Sequence, residues 1–343
     1  MAPNMQGPYY VRGSALGSSH CRIDLIRSNS QFYLNIPLSD VQNTPLGVEF
    51  FRLAEEFDAL ERHDMEAYHK PIDLICSHFL PLFEQLAPPI SINSLTLEDY
   101  AHAPTYRLNV FGTESGDLDV RGAETRLSTP ACFIAPLAMS SAPGFWKTIP
   151  QTQARDLTLV FPAAESNLPM TAGGDAKTAD GSIKYFKPRE EAREKEFTRE
   201  VQILQQIKEK GLAGSQCRLP VLDSLVMADT GEEVIIGILM NTITPPDLGC
   251  QLQSPGFRNR VDLHKKWEEQ VRSSLRILHE IDIVWGDVNP CNVVVDEKFD
   301  AWIIDFGGLN NAEFVDDDKA ETKAGDLQGV ERLFGTWLPS RVC

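Results

Sequence analysis

Residues 283–308 read IVWGDVNPCNVVVDEKFDAWIIDFGG, a stretch that sets Asp287, Asn292 and Asp305 beside two apolar runs. Asp287 falls in a loop after a long helical pattern. Asn292 comes five residues later, directly before the apolar run Val293–Val295. A second run, Trp302–Ile304, is joined to the first by the polar turn Asp296–Lys298, and Asp305 stands at its end before Gly307 and Gly308. Pairing the two runs as a hairpin brings both strand ends to one side. Asp287, Asn292 and Asp305 are therefore expected to converge on one small volume. Two carboxylates and an amide are hard oxygen donors, which suit Mg2+, an ion that often keeps phosphate oxygens among its ligands.

Upstream, the spacing predicts a helix over Asp262–Asp282 with Leu263, Trp267, Val271, Leu275, Leu278 and Ile281 on one stripe. Ser182–Lys187 and Glu233–Leu239 read as strands. Between them lies a charged helix that turns Phe197, Val201, Leu204 and Ile207 inward. A last helix is expected to start at Asp326, as its cap, and to bury Leu327, Val330, Leu333, Phe334 and Trp337. Nearer the start, Cys21–Ile26 and Gln31–Ile36 are expected to pair around Ser28–Ser30. From Gly47 to Ala87 the period is helical. Phe50, Leu53, Phe57 and Leu60 share one face; Ile72, Ile75, Phe79, Leu82, Phe83 and Leu86 share another. Pro71 suits a helix start, and Pro88–Pro89 a stop. Residues 90–180 are rich in Pro, Gly, Ser and Thr; Leu157–Phe161 suits a strand and Glu165–Asp180 a mobile loop. A boundary between two halves is expected near 150–165.

Composition narrows the function classes. Forty-nine acidic residues against 32 basic ones give a formal charge of -17, which argues against gripping a nucleic-acid backbone or an anionic membrane. The seven cysteines are odd in number, widely spaced and without a CxxC pair, so neither a zinc framework nor a disulfide scaffold is expected. His20, His63, His69, His78, His102 and His264 show no metal-site spacing. Met1–Gly17 lacks a basic end followed by an apolar block, and the apolar runs are far short of a membrane span. Reduced thiols in the cytoplasm are the expectation.

Residues 283–308 resemble the catalytic core of the protein-kinase-like superfamily, in which a D-x-x-x-x-N loop is followed by D-F-G. VWGDVNPCNVVVD with DAWIIDFGG is most similar to divergent kinase-like proteins common in filamentous fungi. The resemblance covers roughly residues 160–338. It implies an α+β, bilobal kinase-like fold: residues 1–150 as an N-terminal extension of mixed strands and helices, 151–245 as the small lobe, 246–343 as a shortened large lobe. ATP and Mg2+ are the implied cofactors. Asp287 would accept the proton of a substrate hydroxyl, and Asn292 and Asp305 would hold the metal ions bridging the ATP phosphates. Phe306 would pack beneath the site and Gly307 would let the backbone turn. GSIKYFKP resembles the strand whose lysine meets the α and β phosphates. Lys187 is favoured for that role, with Lys184 on the opposite strand face as the competing choice. Glu200, from FTREVQIL, would be the lysine's partner. EEVIIGILM would run into a hinge at Met240–Thr242 that meets the adenine edge.

The sequence also departs from the family. Trp285 stands where His or Tyr usually opens the loop, and Asn289 where a lysine usually steadies the γ-phosphate. Thirty-six residues follow Gly307, without an A-P-E segment. No full glycine-rich loop precedes Ser182; Gly173–Gly174 would do a reduced version of its work. The missing A-P-E segment and Asn289 favour γ-phosphoryl transfer to a hydroxyl of a small-molecule metabolite, whereas the missing glycine-rich loop, the lost lysine and the short large lobe motivate a scaffold. A catalytically weak nucleotide-binding scaffold and a protein serine/threonine kinase are the other two readings. Each element also has a plain structural reading. Asp287 with Asn292, and Asp305 with Gly307, are ordinary turn residues; Lys187 and Glu200 suit a solvated surface. Cys291 suits packing, His279 a core or cap, and Glu313–Glu321 a solvated acidic loop. Only joint convergence separates the two sets of readings.

Overall fold

The computed structural model describes residues 9–16, 19–59, 65–89, 95–125, 134–160, 173–190, 193–214, 217–229 and 232–342. The fold is α+β, with mixed sheets and several helices. By compactness the chain sorts into two units, neither continuous in sequence. One comprises Met1–Cys132, Gln153–Ala179 and Ala228–Glu233; the other comprises Phe133–Thr152, Asp180–Met227 and Val234–Cys343.

The first unit is built on a five-stranded sheet of Tyr10–Leu16, His20–Arg27, Ser30–Pro37, Thr105–Gly112 and Leu118–Thr125, in that order. The expected hairpin forms with Ile26 opposite Gln31 and Arg27 opposite Ser30. Ser28 at its turn adopts a φ of 49°. Ser30–Pro37 then pairs in parallel with Thr105–Gly112. A parallel pair needs a long crossover, and helices Pro45–Ala59, Met65–His78 and Leu80–Leu86 lie within it. Alternation sends Cys21, Ile23 and Leu25 with Phe32, Leu34 and Ile36 to one face, where they meet Phe50, Ile72, Ile75, Phe79 and Phe83. Phe32 packs its ring against both Tyr106 and Phe83.

Several expectations need correction here. Pro71 lies inside helix Met65–His78 rather than at its start. Proline's fixed φ is helical, and its missing N–H costs one bond; the apolar face that follows is buried in compensation. The continuous helix expected through Leu86 breaks at Phe79, because Pro81 sits in the first turn of a separate helix, Leu80–Leu86. Strands Thr105–Gly112 and Leu118–Thr125 lie in the Pro-, Gly-, Ser- and Thr-rich stretch 90–180, where Leu157–Phe161 is the strand expected. The expected loop at Glu165–Asp180 contains strand Gly174–Lys177, paired with Thr158–Leu159, the short described remnant of the strand expected at Leu157–Phe161. Leu60 lies outside the described residues, and Phe161 does also.

The second unit holds the strand order Gln151–Gln153, Leu222–Asp229, Glu233–Asn241, Ile183–Pro188, with Leu137–Ala138 also pairing to Glu233–Asn241. Helix Glu194–Glu209 turns Phe197, Val201, Leu204 and Ile207 into the core as expected, alongside Trp146. Helix Val261–Glu280 buries Trp267, Val271, Leu275 and Leu278. The expected hairpin forms, but its second strand is Ala301–Ile303, one residue earlier than the Trp302–Ile304 expected, with Val294 facing Trp302. The last helix spans Lys323–Arg332 and is capped by Thr322, whose hydroxyl accepts from the Gly325 amide at 3.0 Å. Asp326 is therefore not its cap but a buried residue one turn in, and Leu327 is 49% exposed rather than core. Among the described residues no helix is long and apolar enough to cross a membrane, and Cys21, Cys76, Cys217, Cys250 and Cys291 are free thiols.

Candidate functional site

The site is assembled within the second unit from one strand, one helix and two loops. Lys187 stands on strand Ile183–Pro188, opposite Ile238. Close pairing there depends on Gly237, where a Cβ would lie 2.4 Å from the Lys187 carbonyl oxygen and 2.5 Å from the Phe186 ring. Glu200 lies on the inward face of helix Glu194–Glu209 and is buried. Asp305 follows strand Ala301–Ile303 with a φ of 60°, a left-handed turn that Asp tolerates better than most residues.

These three side chains meet. The Lys187 ammonium lies 2.6 Å from Glu200 Oε2 and 3.0 Å from Asp305 Oδ1. Burial would push Lys187 toward its neutral form, but the two carboxylates outweigh it and raise the lysine above its ordinary range. Burial also favours the acid form of Glu200, followed by the opposing pull of Lys187. With an ammonium at 2.6 Å and the Phe306 amide also donating to it, the ionised carboxylate is the state consistent with the contacts. Lys184 pairs instead with Asp223 at 2.8 Å. The outward reading of Lys187 and Glu200 as solvated charges does not hold.

Asp287 and Asn292 form the other half. Asn292 Nδ2 donates to Asp287 Oδ2 at 2.8 Å, and Asn289 Nδ2 donates to Asp287 Oδ1 at 2.9 Å. Asn289 Oδ1 in turn accepts from the amides of Cys291 and Asn292 at 2.8 and 3.2 Å. The carbonyl of Asn292 accepts from the Ile304 amide at 3.0 Å, tying this loop to the strand that delivers Asp305. Burial raises the Asp287 carboxyl from 3.8 to about 6; the two asparagines oppose the rise, and the charges of Asp305 and Glu321 add to it. Burial, with the charge of Asp287, also pushes the Cys291 thiol up, away from the reactive thiolate.

Sequence reasoning missed what holds these loops. Asp326 accepts from the Trp285 and Gly286 amides, both at 2.9 Å, and bonds His279 Nε2 at 2.8 Å. Trp285 is fully buried, with its indole N–H on the Ile304 carbonyl at 2.9 Å. Arg199, adjacent to Glu200 in FTREVQIL, reaches both loops as well. Nothing in composition marks it among the charges of its helix; the glycines at 286 and 308 were the available sign of a close approach. At the expected hinge, Met240 lies opposite Tyr185, and Asn241 Oδ1 accepts from the Val221 amide at 2.6 Å. Thr242 directly follows that strand.

Asp305 and Asn292 fit a magnesium ion by donor type, since Mg2+ needs only one or two protein oxygens when phosphate and water complete its shell. Among the described residues no group of three His, Cys, Asp or Glu could hold a metal by itself. Any ion here would depend on oxygens carried in with a substrate. No family model matches this chain, and no curated protein matches it in sequence.

Proposed function

We propose that this chain is an ATP-dependent phosphotransferase of bilobal, protein-kinase-like architecture, which moves the γ-phosphoryl group to a hydroxyl of a small molecule. The observation that carries the reading is the Lys187–Glu200–Asp305 cluster, in which one ammonium is shared between two carboxylates at 2.6 and 3.0 Å. A lysine held charged by two carboxylates can supply electrostatic stabilisation to a phosphate, the main contribution a protein makes to phosphoryl transfer. Asp305 and Asn292 would hold Mg2+, which when bound offsets phosphate charge.

In the proposed step the acceptor oxygen bonds to the γ-phosphorus while the bond from phosphorus to the β–γ bridging oxygen breaks. ADP leaves with that electron pair, and the hydroxyl proton passes to Asp287. Asn289 and Asn292 fix the orientation of the Asp287 carboxylate. Asp287 must be ionised to accept the proton, so a neutral or cationic alcohol suits the site better than an anionic one.

A ligand bound only by the folded state raises the melting temperature. ATP with Mg2+ is expected to do so for the wild type, and Asp305→Ala to lose the effect. Transfer of labelled phosphate into a metabolite extract, absent from Asp287→Ala, would complete the case. A wild-type chain unmoved by ATP and Mg2+ sinks the proposal. A nucleotide-binding scaffold is the second reading, favoured by one observation: both oxygens of Asp287 are already engaged by Asn289 and Asn292. Nucleotide stabilisation without any transfer would select it, and label entering a protein would select a protein kinase.

A further inference from the structure

Arg199 lies on helix Glu194–Glu209, one residue before Glu200. Its guanidinium reaches four partners on three segments. Nη1 donates to the carbonyl of Trp285 at 3.3 Å and to that of Phe306; Nη2 donates to the carbonyl of Val284 at 3.0 Å and to Glu321 Oε2 at 2.9 Å. Val284 and Trp285 lead into Asp287, and Phe306 follows Asp305. The peptide groups of Phe306 are thus held from both sides by neighbouring residues of one helix: its N–H by Glu200, its carbonyl by Arg199.

The backbone has made room for this. Gly286 and Gly308 both adopt a φ of 83°. A Cβ on Gly286 would lie 2.7 Å from a Glu321 carboxylate oxygen, and one on Gly308 would lie 2.6 Å away. Glu321 therefore occupies a notch that exists only because both positions lack a side chain, and there it neutralises the arginine. Two donors from each of two nitrogens, spread over carbonyls in separate loops, need the rigid fork of a guanidinium; a lysine places its donors at one point.

We propose that Arg199 is the positioning residue of this site, fastening the helix that carries Glu200 to the loops that carry Asp287 and Asp305, with Glu321 as its counter-ion. The functional part of this inference rests on the phosphotransferase reading; the fastening itself does not. Arg199 touches none of the acidic side chains expected to meet substrate, so it acts through the register it imposes on them.

The test uses the full chain as wild type, Arg199→Lys and Glu321→Gln, with two measurements. Hydrogen exchange should show Arg199→Lys losing at least about tenfold protection at amides 284–287 and 305–308, with the five-stranded sheet unchanged. The Kd for ATP with Mg2+ should rise at least about tenfold in the same variant, because the charge is kept and the fork is lost. Glu321→Gln keeps the three carbonyl bonds and should move both readouts less than Arg199→Lys does. Wild-type exchange at both segments in Arg199→Lys overturns the fastening. Lost protection with an unchanged Kd overturns the positioning role and leaves a structural one. A wild-type chain that fails to bind ATP with Mg2+ sinks the phosphotransferase reading alone, and exchange still decides the fastening.

Discussion

Replacing Asp326 isolates the support beneath the Asp287 loop. The side chain is 2% exposed and accepts three hydrogen bonds: from the amides of Trp285 and Gly286, each at 2.9 Å, and from His279 at 2.8 Å. Asp326→Ala leaves two buried backbone donors without an acceptor. Each such donor costs about 1–3 kcal/mol, so the loss should be about 2–6 kcal/mol. Asp326→Asn keeps one oxygen and turns an amide nitrogen toward one of the two N–H groups. It should cost roughly half as much, about 1–3 kcal/mol. Urea denaturation followed by tryptophan fluorescence reads both, since Trp285 is fully buried beside the altered bonds. The expected order is wild type, then Asp326→Asn, then Asp326→Ala. If Asp326→Ala unfolds within about 0.5 kcal/mol of wild type, water has replaced the carboxylate and the loop does not depend on it.

Three further outcomes concern Asp287 and its neighbour Val288. Because the Asp287 carboxyl is raised from 3.8 to about 6, it takes up a proton on folding between those values. Its contribution to stability is present at acid pH and is lost as pH rises through about 6. Turnover runs the other way, because a proton acceptor must be ionised: kcat/KM should climb through a midpoint near pH 6, and a flat profile from about pH 5 to 8 would remove Asp287 from that role. At Gly329 an added Cβ would lie 2.6, 2.9 and 3.0 Å from three side-chain carbons of Val288. Gly329→Ala should cost about 1–3 kcal/mol by overpacking, measured by urea midpoint. Val288→Ala in the same chain should recover most of that loss, and failure to recover it would place the strain elsewhere.

Much of the second unit was legible because its signals are local. The 3.6-residue stripe from Phe197 to Ile207, and that from Trp267 to Leu278, each bury as their spacing requires. The paired runs around Asp296–Lys298 could form little else than a tight hairpin. The choice between Lys184 and Lys187 was not local: alternation separates them, but only the fold shows which face carries Glu200 and which Asp223. Arg199, Glu321 and Asp326 were hidden for the same reason. Their partners are 40 to 122 residues away, and most are backbone groups with no side-chain signature. In the first unit, the alternation of TYRLNVFG was masked by the surrounding Gly, Ser and Thr, so its parallel pairing to Ser30–Pro37 went unseen.

The interleaving of the two compact units bears on how this chain can be cut. Phe133–Thr152 supplies Trp146 and Ile149 to the same core as helix Glu194–Glu209, yet in sequence it is bracketed by segments of the other unit. Severing the polypeptide near residue 150 would strip an indole from the half carrying the acidic cluster. Expression of either half alone therefore has no clean suture at this point in the chain.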